Sequence, residues 1–343
     1  MAVEFGLCLW DIFNPLDVTM LKDPFGRSID YVRLSVTDQC DLRCSYCLPK
    51  NFKDFQEPEE WLTFDEIERV IRLFSELGTR RIRLTGGEPL VRKDFAQLAS
   101  RLSALPGIDD LSLSTNATRL EKLAQPLKQA GISRINVSLD TLQADRYKSI
   151  TGGKLDKTLR GLMAARQAGF FPIKLNMVVM KGVNDDEAED MVEFCIEHDF
   201  TLRFIETMPM GDTGRAASEQ YVDLQNIRQR LAEKYELIDS VMHGAGPARY
   251  VRIAGTELRI GFITPMSQHF CETCNRVRLS ADGTLYMCLG QDHSYALRPL
   301  LRAGISDDEM KQHLIKAIGM KPEKHEFKDN PQQVIRFMSM TGG

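Results

Sequence analysis

The sequence predicts an α/β protein whose main body is an open, partial TIM-like barrel of about six βα units. Two patterns predict it: six short segments rich in β-branched residues, and amphipathic helical stretches between most of them. A third observation, a change of pattern after Met208, sets where that body ends.

The six segments are Tyr31–Thr37, Arg81–Thr85, Leu111–Thr115, Arg134–Leu139, Ile173–Val179 and Leu202–Glu206. Each is short and apolar with turn residues nearby, so each reads as a buried strand. Between the first two, Phe64–Leu77 places Phe64, Ile67, Val70, Ile71, Phe74 and Leu77 on one helical face. Thr63 is its N-cap, Glu66 completes a capping box, and Gly78 stops it. Asp94–Leu102, Leu120–Ala130, Asp156–Ala168 and Asp186–His198 behave in the same way. Six units are too few for the closed eight-unit barrel, and chemistry in such sheets collects at the C-terminal ends of the strands.

Met208–Ala217 reads as a loop. Beyond it, Tyr221–Tyr235 reads as a helix, Arg249–Ala254 and Glu257–Ile263 as a hairpin turning at Gly255-Thr256, and Leu285–Cys288 as a further strand. The expected organisation is an N-terminal extension over residues 1–22, the barrel over 23–208 and a C-terminal α+β domain over 209–343.

Of the 343 residues, 43% are hydrophobic and 27% charged, which excludes wholesale disorder. A net charge of −4 argues against a bulk nucleic-acid binder. No apolar run approaches the roughly 18 residues of a membrane span. Met1–Pro15 has no early Lys or Arg and does not read as a signal peptide. The expected location is the cytoplasm, where structural disulfides are rare.

Of the eight cysteines, six form two trios: Cys40, Cys44, Cys47 and Cys271, Cys274, Cys288. Cys8 and Cys195 stand apart and read as small packing residues. Reduced cysteines so clustered point to metal. Structural zinc takes four ligands, and so does an ordinary iron–sulfur cluster. Each trio therefore reads either as a zinc site completed from elsewhere or as a cluster with one iron open. For the second trio, His269 or His293 would complete a zinc site. Arg276 and Arg278, two apart on an extended segment, point the same way. They read as an anion-facing pair beside a metal, or as a solvated basic edge.

Cys-x3-Cys-x2-Cys with Tyr46 before the last cysteine, followed by Gly86-Gly87-Glu88-Pro89 at a strand end, resembles the radical S-adenosylmethionine (SAM) superfamily. The two glycines would let backbone approach a ligand closely. Adding Cys271-x2-Cys274-Asn275-Arg276-Val277-Arg278-Leu279 and the later Cys288, the chain is similar to the GTP 3′,8-cyclase (MoaA) family of molybdenum cofactor biosynthesis. The likeness runs from about Phe25 to Gly343 and includes Phe25-Gly26-Arg27 and Ser35-Val36-Thr37-Asp38.

The resemblance implies a lyase that converts GTP to 3′,8-cyclo-7,8-dihydro-GTP. A 5′-deoxyadenosyl radical takes the ribose C3′ hydrogen, and C3′ then attacks guanine C8. It implies SAM and two [4Fe–4S] clusters, one on each trio, the second in the C-terminal α+β domain and both facing one cavity. It implies SAM contacts at Tyr46, Gly87, Ser138 and Met208, and GTP contacts at Arg33, Arg83, Ser114, Lys174, Arg276, Val277 and Arg278. Arg81 and Arg203 are further GTP candidates, and Asn136 and Asn176 secondary ones. Arg276, Arg278 and the tail residues Gly342 and Gly343 are the implied catalytic group. The implied partners are a small redox protein as electron donor, a downstream cyclic pyranopterin monophosphate synthase and a second copy in a homodimer, with no nucleic acid or membrane. Two departures stand out. Ser114-Thr115-Asn116-Ala117 replaces Thr-Thr-Asn-Gly, which keeps the hydroxyl but puts Ala117 where a glycine is usual. Arg81 stands where lysine also occurs.

Overall fold

The computed structural model describes residues 20–242, 244 and 246–342. Cys8, Gly343 and all but the last three residues of the expected N-terminal extension lie outside the described residues.

The first six strands are β1 (Tyr31–Ser35), β2 (Arg81–Thr85), β3 (Asp110–Thr115), β4 (Arg134–Ser138), β5 (Ile173–Val179) and β6 (Thr201–Glu206). Six more follow: β7 (Leu237–Ser240), β8 (Arg249–Ile253), β9 (Arg259–Ile263), β10 (Arg276–Leu279), β11 (Thr284–Tyr286) and β12 (Ser294–Ala296). All twelve form one sheet in the order β12-β11-β10-β1-β2-β3-β4-β5-β6-β9-β8-β7. The middle eight, from β10 to β9, run parallel, and each edge is finished by an antiparallel pair. β9 and β10 do not pair with each other, so the barrel stays open. The C-terminal segment builds no sheet of its own; it extends the six βα strands at both ends.

The strands are not uniformly apolar. One set of alternate residues (Val32, Leu34, Ile82, Leu84, Ile135, Leu175) is fully buried with the helices in the main core. The other set turns inward and is polar: Arg33, Arg83, Ser112, Asn136, Lys174 and Arg203. A barrel interior is normally filled by bulky apolar side chains. A charged one calls for a charged occupant.

The helix Phe64–Glu76 has the expected cap, with Thr63 Oγ1 accepting from Glu66 N (3.2 Å) and Glu66 Oε2 from Thr63 N (2.8 Å). The helices Phe95–Ser103, Leu120–Gln129, Leu155–Gln167, Ala188–His198 and Leu224–Lys234 lie within two or three residues of the expected spans. The hairpin of β8 and β9 is also present, and Gly255 adopts φ +76° at its turn. Cys195 is fully buried in the core, as expected of a packing residue.

Met208–Ala217 is a correction: Gly211–Ser218 is helical. Its glycines are there for close approach, since a Cβ on Gly214 would lie 2.5 Å from the Met208 carbonyl and one on Gly211 2.8 Å from the Phe337 ring. The expected strand Leu285–Cys288 ends at Tyr286, which leaves Cys288 on a loop.

Candidate active site

The first trio lies on the loop leaving β1. Turn hydrogen bonds shape it, with Cys47 N and Leu48 N both donating to the Cys44 carbonyl (2.8 and 3.0 Å). Arg43 braces it by donating to the carbonyls of Cys40 (2.7 Å) and Leu42 (2.9 Å). Asp41 pins it to the end of β3 by accepting from Asn116 Nδ2 and Thr118 Oγ1, each at 2.8 Å. Burial raises all three thiols, Cys47 to about 12. The charges facing Cys40 and Cys44 add to this, since Glu88, Asp41 and Asp140 are all acidic.

Gly86 and Gly87 sit against this loop. A Cβ on Gly87 would lie 2.3 Å from the Gln39 carbonyl, and one on Gly86 2.5 Å from the Thr37 carbonyl. Gly87 N donates to Thr37 O and Glu88 N to Gln39 O, each at 2.8 Å. The glycines thus let the turn after β2 pack on the cysteine loop, a reason the sequence did not disclose. Glu88, held at about 7 by burial, accepts from Thr115 Oγ1 (2.7 Å) and Asn116 N (2.7 Å) and so braces the end of β3. Ala117 adopts φ +64°, the left-handed conformation that a glycine would take freely and that costs a non-glycine residue about 1–2 kcal/mol. Tyr46 donates to Asp140 (2.7 Å), and burial raises that carboxyl to about 6. Ser138 is exposed at the C-terminal end of β4.

The second trio flanks β10. Three cations hold its loops. Arg27 donates to the carbonyls of Cys271 (2.7 Å), Glu323 (2.6 Å) and Pro322 (2.6 Å), and buried Asp23 pairs with it. Arg336 donates to the carbonyls of Cys288 (3.1 Å), Leu289 (2.6 Å) and Gln291 (2.9 Å). Lys321 approaches Cys274 Sγ at 3.6 Å. Glu206, at the end of β6, accepts from Met266 N (2.7 Å) and Ser267 N (3.0 Å), which fixes the approach to Cys271.

One zinc ion with Zn–S near 2.3 Å draws its sulfurs to about 3.8 Å apart. Among the described residues, the one set of three His, Cys, Asp or Glu ligand atoms mutually within 4.8 Å is His269, Cys271 and His325. Neither cysteine trio meets that limit, so both are spread too widely for a single ion and suit a larger cluster. His293 is engaged elsewhere, with Nδ1 2.8 Å from Gln291 Oε1.

A cavity opens between the inner face of the sheet and the second trio, all three cysteines of which line it. Arg278, Arg33 and Arg83 stand side by side on β10, β1 and β2. Burial draws Arg33 well below its ordinary range, and Arg278 and Arg83 push it further. Arg278 and Arg203 each fall to about 10, mainly through burial. Tyr31, Arg33, Asn176, Arg203 and Arg276 all line the cavity, and each has a buried polar atom with no hydrogen-bonding partner among the described residues. Cations packed in this way fit a polyanion. Ser114 and Met208 also line the cavity.

Four expectations need correcting. Val277 points away from the cavity into the core, because alternation turns it from Arg276 and Arg278. Arg81 pairs with Asp30 at the N-terminal end of β2, away from the cavity. Lys174 is two residues deeper on β5 than Asn176 and does not line the cavity; burial first, then Arg203, Arg134 and Arg83, bring it to about 7. The first trio does not line the cavity either. The tail stands between: Met338 is in the lining, the Ser339 backbone faces Cys47, and Arg278 donates to the carbonyls of Thr341 (3.2 Å) and Gly342. A Cβ on Gly342 would lie 2.2 Å from Thr85. Sequence reasoning missed Tyr31, whose ring carries the Arg83 and Arg276 guanidiniums at 5.6 and 5.9 Å, and Lys321, which has no motif around it.

An open α/β barrel with three thiols after its first strand and a Gly-Gly turn after its second defines a radical SAM protein. The radical SAM superfamily model matches residues 34–195, and the molybdenum cofactor synthesis C model matches 200–327. Streptococcus suis SuiB, solved with S-adenosylmethionine, shares the fold at 16% identity and a TM-score of 0.57, over 81% of this chain and 66% of that one. GTP 3′,8-cyclase of Ectopseudomonas mendocina is 46% identical over 96% of this chain and 100% of its own length. GTP 3′,8-cyclase 1 of Pseudomonas aeruginosa is 48% identical over 94% and 98%. The chain belongs to the GTP 3′,8-cyclase family of molybdenum cofactor biosynthesis. With the family come a [4Fe–4S] cluster and SAM.

Proposed function

We propose that this chain converts GTP to 3′,8-cyclo-7,8-dihydro-GTP, with the SAM cluster on Cys40, Cys44 and Cys47 and a second [4Fe–4S] cluster on Cys271, Cys274 and Cys288. Near-full-length similarity to GTP 3′,8-cyclases, joined to an arginine-lined cavity floored by the second trio, is the observation that carries it. Held by Cys40, Cys44 and Cys47, the first cluster with SAM would supply the radical chemistry needed to remove the C3′ hydrogen.

The chain's own residues do the rest. Arg33, Arg83, Arg276 and Arg278 hold the triphosphate, each charge-assisted hydrogen bond contributing roughly 1.5–3 kcal/mol. Arg203, braced on Asn136 Oδ1 (2.7 Å), and Ser114 orient the nucleoside. Cys271, Cys274 and Cys288 would hold the second cluster at the cavity wall, beside the guanine. Tyr46, Gly87, Ser138 and Met208 surround SAM. Gly342, whose carbonyl accepts from Arg278, lies along the phosphate arginines and shields the cavity from water; a part for Gly343 rests on the family likeness alone. Such an enzyme draws electrons from a small redox protein in the cytoplasm, and its product passes to a cyclic pyranopterin monophosphate synthase. No helix among the described residues is long and apolar enough to cross a membrane.

The test is anaerobic incubation with GTP, SAM and dithionite. The expected result is GTP consumed in step with 5′-deoxyadenosine release. Unaltered GTP with 5′-deoxyadenosine formed on another molecule overturns the substrate. Two zincs and no acid-labile sulfide overturn the chemistry.

A further inference from the structure

Lys321 is 3% exposed, and no carboxylate among the described residues pairs with it. Its Nζ donates to the carbonyls of Met287 (2.7 Å) and Arg276 (3.0 Å), and its third proton faces Cys274 Sγ at 3.6 Å. Two neutral carbonyls do not balance a buried ammonium, which is costly to bury without a counter-charge. The nearest candidates for that negative charge are the sulfurs. Lys321 also ties together the segments that carry the trio, since Arg276 stands two residues after Cys274 and Met287 immediately precedes Cys288. The first trio has acidic neighbours: Asp41 follows Cys40 directly, Asp140 accepts from Tyr46 beside Cys47, and the cation of that loop, Arg43, turns to the carbonyls of Cys40 and Leu42.

We propose that Lys321 is a positioning residue for the second cluster, whose ammonium sets that cluster's reduction potential above that of the SAM cluster. The proposal rests on the two-cluster reading above and deepens it. Reduction adds negative charge to a cluster, and a nearby cation with an N–H···S bond stabilises the reduced form. Acidic neighbours do the reverse. The chain thereby separates two clusters of the same ligand count into a strong reductant and a milder site.

The experiment is an anaerobic redox titration of the full-length protein, following each cluster by its electron paramagnetic resonance signal. It compares the unaltered chain with Lys321→Met, Lys321→Gln and Lys321→Arg after iron and sulfide counts. The unaltered chain is expected to hold about eight irons, with the second cluster reduced first. In the Met and Gln variants the second cluster's midpoint moves to more negative potential, in Lys321→Arg it stays near the starting value, and the first cluster's midpoint holds throughout. An unmoved midpoint in eight-iron neutral variants overturns the proposal, and so does an equal shift in both clusters. If neither neutral variant loads more than four irons while Lys321→Arg loads eight, the lysine serves assembly and the tuning role is overturned. Only four irons in the unaltered chain defeats the two-cluster reading itself.

Discussion

The two cysteine loops carry the same number of thiols, yet they are built differently. The first is a single tight loop at the end of β1, pinned by Asp41 to β3 and facing acidic groups. The second gathers Cys271, Cys274 and Cys288 from both sides of β10, held by Arg27, Arg336 and Lys321. Ligand count and spacing decide what a loop can bind. The charges around it decide how strongly the bound group holds electrons. Only the first of these is written into a motif.

The sharpest way to break the comparison is Cys271→Ala. Cyclisation is expected to vanish while SAM binding persists and iron falls by about half, from two clusters to one. Iron analysis with an isothermal SAM titration reads both arms, and retained cyclisation would remove the second loop from the chemistry. Arg27→Ala should come next. It frees three carbonyls around the second trio and strands buried Asp23, a loss on the order of 3–5 kcal/mol. Thermal unfolding and iron content should show the second site emptied and the first intact.

Arg278→Ala tests the phosphate side. GTP affinity is expected to fall by about 10–100-fold, the worth of one charge-assisted contact, with SAM affinity unchanged. Equal loss of both ligands would indicate misfolding instead.

Lys174 gives a pH signature. Burial and the neighbouring arginines bring it to about 7 in the free protein, against an ordinary 10.5, and although it lies beneath the cavity lining, a triphosphate on neighbouring Arg83 would raise it through the charge they share. Binding then takes up a proton, so GTP affinity should drop about fivefold between pH 7 and 8. The sign for stability is opposite: the unfolded chain holds that proton more tightly, so the free fold gains stability as pH rises from 7 towards 10.5. Lys174→Met should flatten the affinity profile, and a pH-dependent profile in that variant would count against the assignment. The smallest effect belongs to Tyr31→Phe, which deletes only a buried, unpaired hydroxyl. A rise in the GTP dissociation constant of about threefold, roughly 0.6 kcal/mol, with no loss of melting temperature, is expected if that oxygen meets the nucleotide.

The six βα strands and the capped helix Phe64–Glu76 were legible because periodicity and capping are local. So was the grouping of six cysteines into two trios, because their spacing is read directly from the chain. The inward arginines were half-legible. Tyr31-Val32-Arg33-Leu34, Arg81-Ile82-Arg83-Leu84 and Arg276-Val277-Arg278-Leu279 share one alternation. Yet only the register across β10, β1 and β2 sets Arg33, Arg83 and Arg278 in a row and sends Arg81 and Val277 elsewhere. The helix Gly211–Ser218 was hidden because its two glycines look like loop chemistry until Phe337 is seen against Gly211. Lys321 had no signal at all. Its role exists only through a sulfur 47 positions away.

The pairing of β1 with β10 joins Tyr31 to Arg276, residues separated by most of the polypeptide. At about 5–20 residues per second, a ribosome needs roughly 10–50 s to pass from one to the other. Throughout that interval the opening strand has a naked flank, the kind of edge that recruits unwanted partners. Distant pairings of this sort also fold slowly. The nucleotide chamber therefore comes into being late, as one of the closing acts of the molecule's manufacture, well after the loop that receives SAM has been made.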